Sequence, residues 1–140
     1  MIEVEILGAD GAGRGRSADT RLRVPPAEEI RRLCALALAT AGVADGHLAI
    51  EFVGTTRIAE LNGRYRAKAQ PTDVLSFPVD GADPIGGERE LGDVVICLEH
   101  TADVREAIVH GVLHLLGMDH ETDKGEMLEL QRELLSQARV

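Results

Sequence analysis

Residues 101–120 read Thr-Ala-Asp-Val-Arg-Glu-Ala-Ile-Val-His-Gly-Val-Leu-His-Leu-Leu-Gly-Met-Asp-His. The pattern predicts a helix that begins near Thr101 or Asp103 and carries Ile108, Val109, Val112, Leu113, Leu115 and Leu116. Such a helix is apolar almost all round, so it belongs at the centre of the fold with other elements packed around it. Three of the chain's five histidines fall in its last eleven residues. His110 and His114 are four apart, which places them on one face about 6 Å apart along the axis. Gly117 can take the left-handed conformation that ends a helix, and the turn can bring His120 back toward the other two. Three imidazoles on one point leave a fourth position open, as catalytic zinc sites do. A buried helix would also hold its imidazoles in place.

Working outward, residues 2–7 alternate as a half-exposed strand does, and residues 8–19 read as a loop. Pro25, Pro26 and the acids Glu28 and Glu29 mark a helix start. Ile30, Leu33, Cys34, Ala37, Leu38 and Ala41 give that helix one apolar face, and Gly42 closes it. Residues 48–53 read as a strand. A short helix capped by Thr55 or Thr56 is expected to run through Leu61 and to break at Asn62 and Gly63. Residues 73–79 form a strand that Pro78 confines to an edge or an end. Residues 91–98 form another strand, with an apolar run that suggests burial on both faces. The last helix is expected near Asp123, with Asp123 and Glu126 at capping-box spacing and Met127, Leu130 and Leu134 on its inner face. The order of elements predicts a single α+β domain over residues 1–140. It would have a roughly four-stranded mixed sheet, packed helices and a central buried helix carrying the histidines.

Composition narrows the function classes. Aromatic residues make up 2% of the chain, so stacking on aromatic rings is not a main binding mode. Cys34 and Cys97 sit singly in apolar runs and read as buried free thiols of a reducing cytosol. The N-terminus lacks a signal-peptide pattern and no stretch reaches the length of a membrane span, so a cytoplasmic protein with no membrane partner is expected. The net charge of −9 opposes broad nucleic-acid binding. The charge is uneven, however: Arg57, Arg64, Arg66 and Lys68 cluster against one acid, Glu60.

The histidine spacing matches that of metzincin proteases at each ligand position. Those enzymes place a glutamate general base directly after the first histidine, and Gly111 stands there instead. Loss of a general base costs about 10²–10⁴ in rate, which disfavours ordinary peptide hydrolysis. A phosphodiester asks less for a base and more for positive charge on its oxygens, which a metal and an arginine such as Arg66 supply. His47 and His100 read as surface or helix-end histidines.

Taken in order, four segments resemble the YbeY family of bacterial endoribonucleases. They are Leu61-Asn62-Gly63-Arg64-Tyr65-Arg66-Ala67-Lys68, Pro71-Thr72-Asp73-Val74-Leu75-Ser76-Phe77-Pro78, Leu91-Gly92-Asp93-Val94, and the histidine segment 110–120. The resemblance covers roughly residues 48–135. It implies a metal-dependent, single-strand-specific endoribonuclease acting on ribosomal RNA at the 3′ end of the small-subunit RNA, and in ribosome quality control. It also implies a zinc-type metal on His110, His114 and His120, with Arg66 in contact with phosphate. One Zn²⁺ per chain is expected, with Ni²⁺ and other divalent transition metals as alternatives. Single-stranded or ribosomal RNA and the small ribosomal subunit are the expected partners, and DNA is not. Met118 stands where the family usually has tyrosine, Ala69-Gln70 where it often has Asp-Lys, and the segment between the Leu91 strand and His110 is about a dozen residues short. Thr72, Asp73 and Ser76 could orient the site by hydrogen bonds or simply build a turn before a strand, and Gly92 and Asp93 read as strand geometry. Two rival readings follow from the same residues: a peptide or small-molecule metal hydrolase, and a non-catalytic ribosome-assembly factor with a structural metal.

Overall fold

Alternation along the strands divides the apolar side chains between two faces of one sheet, and that division places each helix. The computed structural model describes residues 2–9, 23–66, 73–79, 90–118 and 123–138. Its strands are β1 (Ile2–Leu7), β2 (Gly46–Val53), β3 (Val74–Pro78) and β4 (Glu90–Cys97). The order across the sheet is β1-β2-β4-β3. β1 and β4 each pair with β2 in parallel, and β3 pairs with β4 antiparallel. The sheet is therefore mixed, as expected, and β3 is an edge strand with Pro78 as its last residue, where a missing N–H costs no ladder bond.

On one face Val4, Leu48, Ile50, Phe52, Val94 and Ile96 join the main core. This face is covered by α1 (Ala27–Ala39) and α3 (Val104–Leu115), and α4 (Glu126–Ala138) packs against both of these helices. α3 touches β3, β4, α1 and α4, and Ile108, Val109, Val112 and Leu113 on it are fully or almost fully buried. It is the central helix that the apolar pattern predicted. On the other face Leu75, Val95 and Cys97 pack under Ile58 and Leu61 of α2 (Thr55–Arg66). The β4 segment is thus buried on both sides, as its unbroken apolar run required. Cys34 and Cys97 are buried free thiols, and burial pushes the Cys34 thiol up to about 12.

Three expectations need correction at element ends. α2 does not break at Asn62 and Gly63 but runs on to Arg66, with Asn62 buried. Glycine and asparagine lower helix propensity by about 1 kcal/mol or less, and packing of Ile58 and Leu61 outweighs that. Ala41 follows the end of α1 and is exposed, because the helix ends at Ala39 and Gly42 turns the chain with φ of 73°. α4 starts at Glu126, three residues after Asp123. Asp123 still caps it, accepting from the backbone N–H groups of Gly125 and Met127, while Glu126 reaches back to the Lys124 N–H. The loop expected at 8–19 lies largely outside the described residues.

Candidate metal centre

The path from β4 to the histidines is short. β4 ends at Cys97, a single 3-10 turn spans Leu98–His100, and Asp103 caps α3 by accepting from the N–H groups of Arg105 and Glu106. His110 therefore stands only two turns into the helix. At its far end α3 closes through paired bonds, from the Met118 N–H to the Leu113 carbonyl and from the Gly117 N–H to the His114 carbonyl. Gly117 sits at φ of 91°, the left-handed position this closure needs. Gly117 thus ends the helix in the conformation that the spacing predicted.

His110 and His114 meet. Their Nε2 atoms lie 3.0 Å apart, with ring centroids 4.6 Å apart and planes at 74°. Two Zn–N bonds of about 2.0–2.1 Å at a tetrahedral angle would set their nitrogens about 3.3 Å apart, so this pair converges at the spacing of two ligands on one ion. Both rings are half-buried, which leaves the point they share within reach of a third group. His120 lies outside the described residues, and among the described residues no group of three metal-binding side chains assembles. Arg66 is the last residue of α2, and its side chain is likewise outside the description. The structure thus brings two of the four expected site residues together.

One contributor was not anticipated. Gln131 on α4 is buried, and its Oε1 lies 2.9 Å from His110 Nδ1. A signal for it exists in the sequence: position 131 shares the inner face of α4 with Met127 and Leu134, and a polar residue in an apolar stripe asks for a partner. Beside His110 and Gln131 opens a cleft of about 170 Å³, also lined by Asp73, Thr101, Asp103 and Glu106. Its carboxylates make that side favourable to a cation and unfavourable to a phosphate.

The sequence-predicted supporting residues divide clearly. Ser76 donates its hydroxyl to the Gly111 carbonyl at 2.9 Å, tying β3 to the helix one residue after His110. Asp73 accepts from the Val74 N–H next to it, and its carbonyl accepts from the Cys97 N–H, so it starts the strand as well as lining the cleft. Thr72 lies outside the described residues. Gly111 is a packing requirement: a Cβ there would stand 2.4 Å from Val94 Cγ1. The residue that replaces the protease glutamate is thus small because α3 lies directly on β4. Gly92 is also geometric, with φ of 131° and a Cβ position 2.3 Å from the Phe77 carbonyl oxygen. His100 is exposed at the end of the 3-10 turn. His47 sits on the opposite face of the sheet, with Nδ1 3.1 Å from Glu90.

The chain is similar to known proteins in sequence and in fold. The family described as Endoribonuclease YbeY matches residues 23–139. Endoribonuclease YbeY of Aquifex aeolicus is 38% identical over 124 residues, covering 78% of this chain and 81% of that protein. Endoribonuclease YbeY of Pseudomonas putida is 39% identical over 153 aligned positions, covering 98% of this chain and 89% of that protein. That alignment is longer than the 140 residues of the chain, which is therefore gapped against it by at least a dozen positions. A Thermotoga maritima protein solved in solution shares the fold at a TM-score of 0.52 and 24% identity, over 96% of this chain and 88% of that one. With the match running through α2, the β3–β4 pair and the histidine helix, the chain belongs to the YbeY endoribonuclease family.

Proposed function

We propose that this protein is a metal-dependent, single-strand-specific endoribonuclease that matures the 3′ end of small-subunit ribosomal RNA and takes part in ribosome quality control. The observation that carries the reading is the convergence of His110 Nε2 and His114 Nε2 at 3.0 Å on a buried helix, in a chain of this family. His110, His114 and His120 would hold one zinc ion, with nickel and other divalent transition metals as competitors for the same imidazoles. When bound, the ion supplies Lewis-acid charge for a phosphate oxygen and lowers the pKa of water. Arg66 would hold the scissile or a neighbouring phosphate, for which a guanidinium fork is suited. Single-stranded RNA and the small ribosomal subunit are the proposed partners, and the cytoplasm the proposed place of action. Among the described residues no helix is long and apolar enough to cross a membrane.

The metal-protease alternative loses its support at Gly111. A glutamate at that position has no room beside Val94, so the helix offers no carboxylate where those enzymes keep their base. The test is His114→Ala. The native protein should carry about one equivalent of zinc and cut single-stranded RNA in a chelator-sensitive way. The variant should lose most of the metal and slow cleavage by at least about a hundredfold. Unchanged metal content and unchanged cleavage in the variant would sink the reading. Cleavage of casein in place of RNA would revive the protease.

A further inference from the structure

His110 has two ring nitrogens and the fold gives them different partners. Nε2 faces His114 Nε2 at 3.0 Å, and Nδ1 faces Gln131 Oε1 at 2.9 Å. A neutral imidazole carries one N–H, and the partner of one nitrogen decides where the proton sits. An amide oxygen offers only lone pairs, so the bond to Gln131 forms when the proton is on Nδ1. Nε2 is then left with its lone pair directed at the point shared with His114. Gln131 is itself well placed to impose this. It is 4% exposed, and α4 is seated beside it by Met127 and Leu134, which are 0% and 3% exposed. The amide can neither turn to solvent nor swing away without undocking the helix.

We propose that Gln131 is a positioning residue that holds His110 in the Nδ1–H form and so presets its Nε2 as a metal ligand. Docking of the C-terminal helix then completes the centre. The proposal rests on the zinc reading given above, and it assigns to α4 a part in the site beyond closing the core. Because binding and docking are linked, a metal on His110 also favours the docked helix.

The experiment uses the full chain, stripped of metal and then titrated with zinc, as wild type, Gln131→Met and Gln131→Glu. Long-range ¹H–¹⁵N spectra of the imidazoles read the tautomer of His110 before metal is added. Zinc affinity is read by competition with a chromophoric chelator. The wild type is expected to show His110 protonated on Nδ1. Gln131→Met fills the same space without an acceptor and should weaken zinc binding about 10- to 100-fold. Gln131→Glu keeps an acceptor and should return affinity to within a few-fold of wild type or beyond. A role confined to packing predicts no such rescue. The proposal is overturned by an Nε2–H tautomer in the wild type, by undiminished affinity in Gln131→Met, or by a Glu variant no better than Met. Should Gln131→Met fail to fold, the wild-type tautomer and the Glu variant still decide the matter. If the wild type takes up no zinc at all, the functional reading falls, whereas the tautomer spectrum still judges Gln131.

Discussion

The two faces of the sheet hold histidines in opposite settings. On the face that α2 covers only in part, His47 lies among carboxylates, 3.1 Å from Glu90 and 3.7 Å from Glu5. The hydrogen bond to Glu90 is the largest influence and raises the His47 pKa, opposed by burial and helped by the charges of Glu90, Glu5 and Glu3. On the face that α1 and α3 cover, His110 and His114 meet each other and a neutral amide, and the carboxylates of Asp73, Asp103 and Glu106 line the cleft beside His110. Carboxylate neighbours favour an imidazole that carries a proton, as at His47. Histidine content alone does not separate the two sites; the group bonded to each ring does, a carboxylate at His47 and an amide and a second imidazole at His110.

The difference depends on how tightly α3 lies on the sheet, and Gly111→Glu should break it with the largest effect. The new Cβ would meet Val94 Cγ1 at 2.4 Å and Cγ2 at 3.1 Å, and Val94 is fully buried and stiff at χ1. The bond from Ser76 to the Gly111 carbonyl keeps the helix from backing away. A loss of about 3 kcal/mol is expected from overpacking, or no folded protein at all. Chemical denaturation of Gly111→Ala, with and without Val94→Ala, tests the cause in a milder form. The paired change should recover at least about 1 kcal/mol of coupling, and strict additivity would remove Val94 as the reason for glycine here.

A smaller effect is expected where α3 is tied to α1. Arg105 in the first turn of α3 makes two bonds to Glu29 of α1, one of them Nη2–Oε2 at 2.9 Å, and both side chains are partly exposed. Fork-to-fork geometry raises the pair above the usual surface value, while exposure screens it. Arg105→Met should cost about 1 kcal/mol, a fall of about 4 °C in melting temperature. The deficit should shrink in 1 M salt. A salt-independent loss would point to the packing of the Arg105 stem rather than to its charge.

These two contacts also show what the sequence could and could not display. The four strands, the central helix and the helix ends at Asp103, Gly42 and Gly117 were legible because each rests on a local pattern. The break expected at Asn62-Gly63 was wrong for a related reason: the signal was local, and the contacts of Ile58 and Leu61 that overrode it come from β3 and β4. At the site, the spacing of His110 and His114 was enough to place them together. Gln131 was not found, since its reason for being polar is a ring on another helix, 21 residues earlier. Spacing along the chain shows Gly111 only as the residue in the place of the protease glutamate. Its packing role needed the distance to Val94, which no spacing along the chain contains.

The exposed side of the comparison yields the smallest effect and the one with a definite sign. A histidine whose pKa is higher folded than unfolded binds its proton more tightly in the folded state. The stabilisation from His47 is therefore complete below the unfolded value near 6.5 and disappears as pH rises through the higher folded value. His47 and its partners are near the surface, so solvent and salt reduce the effect to a few tenths of a kcal/mol. His47→Gln should lose a little stability at pH 5.5 and none at pH 8.5, read as melting temperature in low salt. Because His47 and the α3 histidines lie on opposite faces, the same variant should not differ from the wild type in the proposed zinc uptake and RNA cleavage. A pH-independent loss of stability would mean that the carboxylates do not hold the proton. A loss of zinc would mean that the two faces are coupled through the sheet, and that the charge around His47 is felt at His110.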